Sequence, residues 1–161
     1  MVRMRDAGPG DGPFLTDMLV EAVNWNRALR RPRVEVLADS RVRGYIAGWP
    51  RPGDVGAIAE DDDGEAIGAG WLRLFRADAP GYGFVASGVP ELTVGVRAPW
   101  RAQGVGRALV RRLLVQARAA GHARVSLSVE RGNFAKRLYA SEGFATVASD
   151  DHADTMVRIL Q

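Results

Sequence analysis

The chain has 161 residues, of which 47% are hydrophobic and 25% are charged, and it contains no cysteine. This composition predicts one globular domain over residues 1–161 and excludes disulfides, thiolate catalysis and a cysteine-bound acyl intermediate. The net charge of +3 comes from arginines spread along the whole chain, which is typical of a solvated surface and not of a nucleic-acid-binding face.

The first half of the chain consists of short segments separated by glycine and proline. Periodicity predicts a strand at residues 2–4, helices at 14–23 and 34–47, and a hairpin of strands at 55–60 and 65–74. The glycine-rich, aromatic segment 75–88 has no clear periodicity, and we expect it to be a mobile loop.

The second half predicts a strand at residues 91–96, a helix at 104–120, a strand at 125–129, a helix at 134–141 and a hairpin of strands at 144–148 and 155–160. The helix at 104–120 is the clearest, because apolar residues recur every four positions and Gly121 can end it. A strand, a helix and a second strand in this order form a right-handed crossover with parallel strands. We therefore predict an α/β (α+β) fold, in which a mixed, mostly antiparallel central sheet carries helices on both faces.

Residues 94–109 join the strand at 91–96 to the long helix through a turn that contains Gly104 and Gly106. Free backbone amides at a helix start can bind a phosphate, and glycine lets the phosphate approach them. The first helical turn holds Arg107 and no acidic residue, and Arg101 lies just before it, so we expect the anion to come from a ligand. The segment lacks the Gly-Lys-Ser/Thr ending of a Walker loop and the third glycine of a dinucleotide fingerprint.

Two segments together resemble the GNAT superfamily of acetyl-CoA-dependent N-acetyltransferases. The cofactor loop of that superfamily, Arg/Gln-x-x-Gly-x-Gly/Ala, is matched by Arg101, Gly104 and Gly106. Its second signature, an asparagine followed by Leu-Tyr and then Gly-Phe, is matched by Asn133, Leu138, Tyr139, Gly143 and Phe144. The match covers about residues 91–144, and it departs from many relatives only where Ala102 and Ala98 replace a glycine and a proline.

The resemblance implies a binding site for acetyl-CoA, with the pyrophosphate on loop amides and the pantetheine paired with the preceding strand. The loop residues implied are Arg101, Ala102, Gln103, Gly104, Val105, Gly106 and Arg107, and the strand residues are Val94, Gly95 and Val96. It further implies that Asn133 hydrogen-bonds the pantetheine and that Lys136 and Arg137 reach the adenosine phosphates. Gly95 fits this view physically, since a glycine inside a strand often marks a close approach by another backbone. The alternative is that Gly95 has no functional meaning.

Transfer to an amine needs a proton acceptor, because an amine with a pKa near 10.4 is almost entirely protonated at pH 7. Glu91 is the candidate, since strand alternation puts it on the same face as Thr93 and Gly95. The alternative for Glu91 is an edge carboxylate in solvent. The resemblance assigns Tyr139 to the departing thiolate of CoA, and the alternative for Tyr139 is packing against Phe144.

The main hypothesis is an acetyl-CoA-dependent N-acetyltransferase that moves the acetyl group directly to an amine-bearing small molecule or peptide in a ternary complex. The alternative is a non-catalytic acyl-CoA-binding or sensor module on the same fold, which would not need Glu91 and Tyr139. The acceptor pocket has six candidate residues: Asn24, Trp25, Asn26, Trp71, Arg73 and Tyr82.

The sequence also predicts the cellular location and the binding partners of this chain. No run of about 18 apolar residues is present, and residues 1–6 lack the apolar stretch of a signal peptide, so we expect a cytoplasmic protein that does not bind membranes. We expect no metal and no nucleic-acid partner. The sequence does not determine the oligomeric state, and a homodimer is one possibility, since dimers are the commonest assemblies of soluble proteins.

Overall fold

The computed structural model describes residues 1–160, and its seven strands form one open sheet in the order β1-β2-β3-β4-β5-β7-β6. The strands are β1 (Arg3–Asp6), β2 (Val55–Glu60), β3 (Ala66–Arg73), β4 (Glu91–Val96), β5 (Arg124–Glu130), β6 (Ala145–Ser149) and β7 (Ala153–Ile159). The helices are α1 (Gly12–Val23), α2 (Arg33–Ala38), α3 (Ser40–Arg43), α4 (Val105–Ala119) and α5 (Ala135–Ser141). Within residues 1–160, no helix is long and apolar enough to span a membrane.

Strand pairing confirms the predicted mixed sheet. Five of the neighbouring pairs are antiparallel, and β4 and β5, on either side of α4, are parallel. The predicted hairpins appear as β2 with β3 and as β6 with β7. Most predicted boundaries differ from the observed ones by one or two residues, and the strands β2 and β4 have the predicted bounds.

Helices cover both faces of the sheet, as predicted. The apolar stripe of α4, with Leu109, Leu113 and Ala117, is fully buried against one face. The opposite face is covered by α1, α2 and α3, and its core includes Leu15 and Met18 of α1. Two separate apolar cores therefore hold the central strands between them.

The single helix predicted at residues 34–47 is wrong. The chain forms two short helices, α2 and α3, because Asp39 between them adopts an extended backbone with φ −76° and ψ 115°. Its carboxylate accepts a hydrogen bond of 2.9 Å from the Arg41 amide and so caps the second helix. The apolar periodicity continued across this break, and the capping aspartate was the signal that marked it.

Helix α1 lies directly against β4 at Gly95. A Cβ atom at this position would overlap the carbonyl oxygen of Met18 in α1. The close approach by another backbone that Gly95 predicted is therefore real, but the backbone belongs to the protein itself. This contact fixes α1 over the face of β4 that also carries Glu91.

Gly95→Ala is expected to lower the free energy of unfolding by about 1–3 kcal/mol, because the added methyl group would push α1 away from the sheet. Gly10→Ala is the matched control, since a Cβ there would meet nothing within 4 Å. Urea unfolding followed by circular dichroism measures the difference. Equal stability of the two variants would contradict the contact between α1 and Gly95.

Candidate active site

The central feature of the sheet is that β4 and β5 part soon after they begin. They share one residue pair, Glu91 with Ser126, and the Ser126 amide donates to the Pro90 carbonyl at 3.0 Å. Beyond this vertex the strands diverge, and the gap opens into a cavity of about 970 Å³ between the two strands, α1, α4 and α5. A cavity of this size can hold an extended cofactor together with a small second molecule.

The edge of β4 that faces the gap has free backbone groups. On its other side β4 pairs with β3, and the Arg97 amide donates to the Ile67 carbonyl at 2.8 Å. Because backbone groups alternate along a strand, those of Val94 and Val96 point toward the gap. The Val96 carbonyl accepts one long hydrogen bond of 3.3 Å from Arg101. This edge can pair with an extended ligand, as predicted for the pantetheine.

The open end of the gap lies at the start of α4. Gly104 precedes the helix in the left-handed conformation with φ 85°, and no side chain caps the helix. The first helical hydrogen bond there runs from the Ala108 amide to the Gly104 carbonyl, so the amides of Val105, Gly106 and Arg107 have no helical acceptor. These free amides at the positive end of the helix form an anion-binding cradle.

The arginine side chains beside the cradle already have carboxylate partners. Arg101 pairs with Glu21 of α1 at 2.9 Å. Arg107 donates to the Ser141 hydroxyl at 2.9 Å and pairs with Glu142 at the end of α5. Both arginines line the cavity. The sequence analysis expected their anionic partner to come from a ligand, because their carboxylate partners are distant in the sequence. The positive field of the cradle comes chiefly from its amides.

The remaining predicted cofactor residues divide into two groups. Asn133 lines the cavity, where its Oδ1 accepts from the Ala135 amide at 3.0 Å and its Nδ2 has no protein acceptor within residues 1–160. Lys136 does not line the cavity, because it pairs with the buried Asp154 at 2.5 Å. Three further residues also lie outside the lining: Gln103, Val105 and Arg137.

Glu91 lies at the vertex of the gap and is only 2% exposed. Its Oε2 accepts a hydrogen bond from the Tyr45 hydroxyl, and its Oε1 is buried without a partner among the described residues. Burial raises the pKa of Glu91 from the ordinary 4.5 to about 7, although the hydrogen bond from Tyr45 and the nearby Gly83 amide oppose the rise. The alternative of a solvent-exposed edge carboxylate is therefore wrong.

The surroundings of Glu91 come from segments that the sequence analysis did not connect with it. The Tyr45 hydroxyl also accepts from the Tyr82 amide at 2.8 Å. A Cβ at Gly81 would overlap Oε1 of Glu91, and one at Gly83 would lie 2.6 Å from the Leu127 backbone. The loop at 75–88 has no helix or regular strand, but residues 81–83 are fitted tightly against the carboxylate. The Gly-Tyr-Gly sequence was the available signal.

Tyr139 of α5 lies in the wall of the same cavity. Its ring packs edge-on against Phe144 with centroids 5.9 Å apart, while its hydroxyl has no hydrogen-bond partner among residues 1–160. Burial raises the pKa of the Tyr139 phenol to about 12. The packing interpretation describes the ring correctly, and the hydroxyl remains free for a ligand.

Only two of the six predicted acceptor-pocket residues, Trp25 and Tyr82, line the cavity. The Trp25 indole donates to Glu130 of β5 at 3.0 Å. Trp71 and Arg73 are buried in the fold: Trp71 donates to the Tyr45 carbonyl, and Arg73 forms a buried ion pair. The two asparagines bind backbone in their own loop, Asn24 that of Arg31 and Asn26 that of Ala28. The prediction was wrong for these four residues.

One continuous cavity thus contains three features with different chemistry. They are an anion-binding cradle at its open end, a strand edge with free backbone groups along its length, and a carboxyl group and a phenol near its vertex. Within residues 1–160, no group of three or more histidine, cysteine, aspartate or glutamate side chains could hold a metal ion. This arrangement is suited to an extended anionic cofactor and acid–base chemistry at its far end.

Comparison with known proteins agrees with this arrangement. A model of the acetyltransferase (GNAT) family matches residues 13–144. Ribosomal-protein-alanine N-acetyltransferase from Brucella melitensis is similar in structure, with a TM-score of 0.69, 25% sequence identity and coverage of 98% of this chain and 99% of that chain. A search of curated protein sequences finds no match.

Two structures with bound cofactor share the fold at lower identity. One is the PaiA N-acetyltransferase from Thermoplasma acidophilum with coenzyme A, which has a TM-score of 0.71, 16% identity and coverage of 99% of each chain. The other is a phosphinothricin acetyltransferase from Sinorhizobium meliloti with acetyl-CoA, with a TM-score of 0.68, 20% identity and coverage of 99% of this chain and 88% of that chain. The family match over residues 13–144, together with this fold, shows that the chain belongs to the GNAT family of acetyltransferases.

Proposed function

We propose that this protein transfers an acetyl group from acetyl-CoA directly to an amine, with both substrates bound at once. One observation carries the proposal: Glu91, whose buried Oε1 has no hydrogen-bond partner among residues 1–160, lines the same cavity as Tyr139 and the anion cradle. The solved relatives that hold coenzyme A or acetyl-CoA support the choice of cofactor.

The cavity accommodates the parts of acetyl-CoA in order. The pyrophosphate binds the amides of Gly106 and Arg107, which line the cavity at the helix start, where the helix field favours a negative charge. The pantetheine runs along β4 and pairs with the backbone of Val94 and Val96, as an added strand would. The thioester then lies near the vertex, beside the side chains that carry the reaction.

Glu91 takes the proton that the amine must lose. Its pKa of about 7 lies near the working pH, so a large fraction of the carboxylate is unprotonated while it remains a competent base. The neutral amine attacks the thioester carbonyl, a C–N bond forms and the C–S bond breaks. The amine proton goes to Oε1 of Glu91, directly or through one water, and CoA leaves as a thiolate.

Tyr139 stabilises this thiolate by hydrogen bonding and does not protonate it. A thiol has an ordinary pKa of about 8.5, so proton transfer from a phenol of pKa about 12 would be uphill by about 5 kcal/mol. A neutral phenol can still donate a hydrogen bond to the sulfur as negative charge develops there. Its unpaired hydroxyl needs no rearrangement to do so.

The alternative of a non-catalytic acyl-CoA-binding module does not account for Glu91. The pKa of Glu91 is higher in the folded protein than its ordinary value, so its contribution to stability is complete below about pH 4.5 and is lost as pH rises through 7. Burying a partly unpaired carboxylate therefore destabilises the protein at neutral pH. Cofactor binding alone does not require a buried carboxyl group with a raised pKa, whereas a general base that works near neutral pH does.

Acetyl-CoA at saturating concentration is expected to raise the melting temperature, whereas acetate is not, because the phosphates and pantetheine supply the contacts. Gly106→Glu is expected to abolish the shift by placing a carboxylate among the cradle amides. Gly106→Ala is the matched control, since a Cβ there would make only ordinary contacts of 3.5 Å or more. Scanning fluorimetry measures the melting temperatures of the parent protein and of both variants with and without acetyl-CoA. If folded Gly106→Glu shows the same increase as the parent protein, the anion cradle is ruled out.

The decrease of kcat at low pH is expected to follow the protonation of Glu91. At saturating acceptor, kcat should fall tenfold per pH unit below about pH 7, because protonated Glu91 cannot accept the amine proton. Tyr45→Phe removes a hydrogen bond that lowers this pKa, so the break should move to higher pH. Glu91→Gln should remove the break and lower kcat on the order of 10²- to 10⁴-fold.

Unfolding measurements provide the control for these variants. Glu91→Gln should be more stable than the parent protein above pH 7, because it has no buried charge to accommodate. Lost activity would then not reflect lost structure. A break near pH 7 that persists unchanged in Glu91→Gln would assign the titration to another group.

Tyr139→Phe is expected to lower kcat about 10- to 100-fold with little change in KM for acetyl-CoA, because it removes a hydrogen bond made chiefly to the departing thiolate. Its ring packing against Phe144 should persist, so the melting temperature should change little. Steady-state kinetics by free-thiol release, with chemistry shown to be rate-limiting, measures the effect. An unchanged kcat would leave Tyr139 with a packing role alone.

A further inference from the structure

Residues 80–84, in the loop before β4, form a turn that lies over Glu91, the covering turn. Its Phe84 amide donates to the Gly81 carbonyl at 3.2 Å. Gly81 and Gly83 are buried in it. A Cβ at Gly81 would overlap Oε1 of Glu91, and one at Gly83 would lie 2.6 Å from the backbone of β5. The covering turn therefore extends from the carboxyl group to β5 and excludes solvent from Oε1.

The covering turn is attached to one short segment of the chain. Within residues 1–160, all side-chain hydrogen bonds between this turn and the rest of the chain involve residues 39–45. The Tyr82 amide donates to the Tyr45 hydroxyl at 2.8 Å, and the Tyr82 hydroxyl donates to Asp39 at 3.4 Å. The Tyr45 carbonyl in turn accepts from the buried Trp71 indole of β3 at 2.9 Å. The segment is thus fixed to the sheet, and the covering turn is fixed to the segment.

Arg41 of α3 contacts the covering turn in two ways. Its Nε and Nη2 donate to the carbonyls of Pro80 and Gly81, both at 3.3 Å. Its guanidinium carbon lies 4.1 Å from the centre of the Tyr82 ring, within the range of a cation–π interaction. Among residues 1–160, the guanidinium has no partner outside this turn. A planar guanidinium that donates to two successive carbonyls and lies over the next ring can fix the orientation of a backbone turn.

Other charges near Glu91 are already paired within the protein. The groups that face Glu91 from the elements packed against it are Tyr45, Arg41, Asp39, Tyr82, Arg73 and Asp54, with the neutral Ser126 on β5. Arg73 and Asp54 form a buried ion pair at 2.7 Å. The one charged residue of α1 in the cavity wall, Glu21, pairs with Arg101.

Arg41 can influence Glu91 in two ways, and they have opposite signs. Burial has the largest effect on the pKa of Glu91 and raises it, whereas the charge of Arg41 has the smallest effect and lowers it. Loss of that charge alone would therefore raise the Glu91 pKa. Loss of the cover would admit water and lower the pKa toward its ordinary value.

We propose that Arg41 is a positioning residue of the reaction: it holds the covering turn on Glu91 and so keeps the base buried and in one orientation. The inference rests on the proposed acetyl transfer, in which Glu91 takes the proton of the amine. Arg41 does not line the cavity, so it acts on the base through the turn and not on a substrate.

Amide hydrogen exchange followed by NMR tests the attachment in the protein without ligands. In Arg41→Gln, the Tyr82 and Phe84 amides are expected to exchange on the order of 10-fold faster, because the turn opens more often. Arg43→Gln is the matched control, since Arg43 belongs to the same helix but donates to two carbonyls at the end of α2. Parent exchange rates in Arg41→Gln, or equal acceleration in Arg43→Gln, would overturn the proposal.

The pH dependence of unfolding follows the pKa of Glu91 without an acceptor. Relative to Glu91→Gln, the parent protein should lose stability as the pH rises from about 4.5 to 7, because its folded state holds the proton more tightly. In Arg41→Gln this loss should be smaller and end at lower pH, measured against the same variant carrying Glu91→Gln. A loss that ends at higher pH would mean that Arg41 acts through its charge alone, and an unchanged loss would mean that it does not affect the base. Either result contradicts the proposal.

Gly83→Ala displaces the covering turn while Arg41 is present, because its Cβ would approach the backbone of β5. It should reproduce the faster exchange of Tyr82 and the lower Glu91 pKa. Faster exchange with the parent pKa would show that the turn does not control the base.

Kinetics connect the covering turn with the reaction. Free-thiol release from acetyl-CoA is measured with a panel of amino acids, polyamines and peptides. With any amine that the parent protein acetylates, Arg41→Gln and Gly83→Ala should lower kcat above pH 8 on the order of 10-fold, because a less basic carboxylate accepts the proton less readily. The KM for acetyl-CoA should change little. Parent kcat in both variants would overturn the role of Arg41. Acetylation of no amine would overturn acetyl transfer itself, and the exchange data would still decide whether Arg41 holds the turn.

Discussion

The parting of β4 and β5 after a single shared residue pair is the constraint on which the site depends. Where the strands still pair, the backbone is closed and Glu91 is buried. Where they have separated, the edge of β4 is free and α4 begins with open amides. At about 3.3 Å per residue, the six residues of β4 separate these two ends by roughly 17 Å. The anion cradle and the buried carboxyl group are thereby kept apart by the length of one strand.

The carboxyl at the vertex is tuned by segments from three parts of the chain. Strand β4 supplies Glu91, the turn after α3 supplies Tyr45, and the loop before β4 supplies the amides of Tyr82 and Gly83. Burial favours the protonated acid, while the Tyr45 hydrogen bond and the nearby Gly83 amide favour the carboxylate. The balance of these opposing effects sets the pKa close to neutrality. Oε1 has no hydrogen-bond partner among residues 1–160, and in the proposed reaction this atom receives the proton.

Local patterns predicted the parts of this site that local chemistry determines. The helix repeat of α4, the glycines before it and the face of β4 shared by Glu91 and Gly95 all follow from neighbouring residues. The partners of Arg101 and Arg107 could not be predicted in this way, because Glu21 and Glu142 are 80 and 35 residues away in the chain. Tyr45 was missed for the same reason, since its contact with Glu91 exists only after the sheet has formed.

Helix α1 has a second role beyond covering the sheet. The loop that follows it reaches β5 through the hydrogen bond from Trp25 to Glu130, and Glu21 of the helix reaches the cradle loop through Arg101. The contact at Gly95 ties the same helix to β4. Helix α1 and the loop that follows it therefore contact both β4 and β5 and hold the two walls of the gap at a fixed separation. In the proposed reaction, acetyl-CoA enters a gap that the fold already holds open, so its binding energy remains available to orient the thioester.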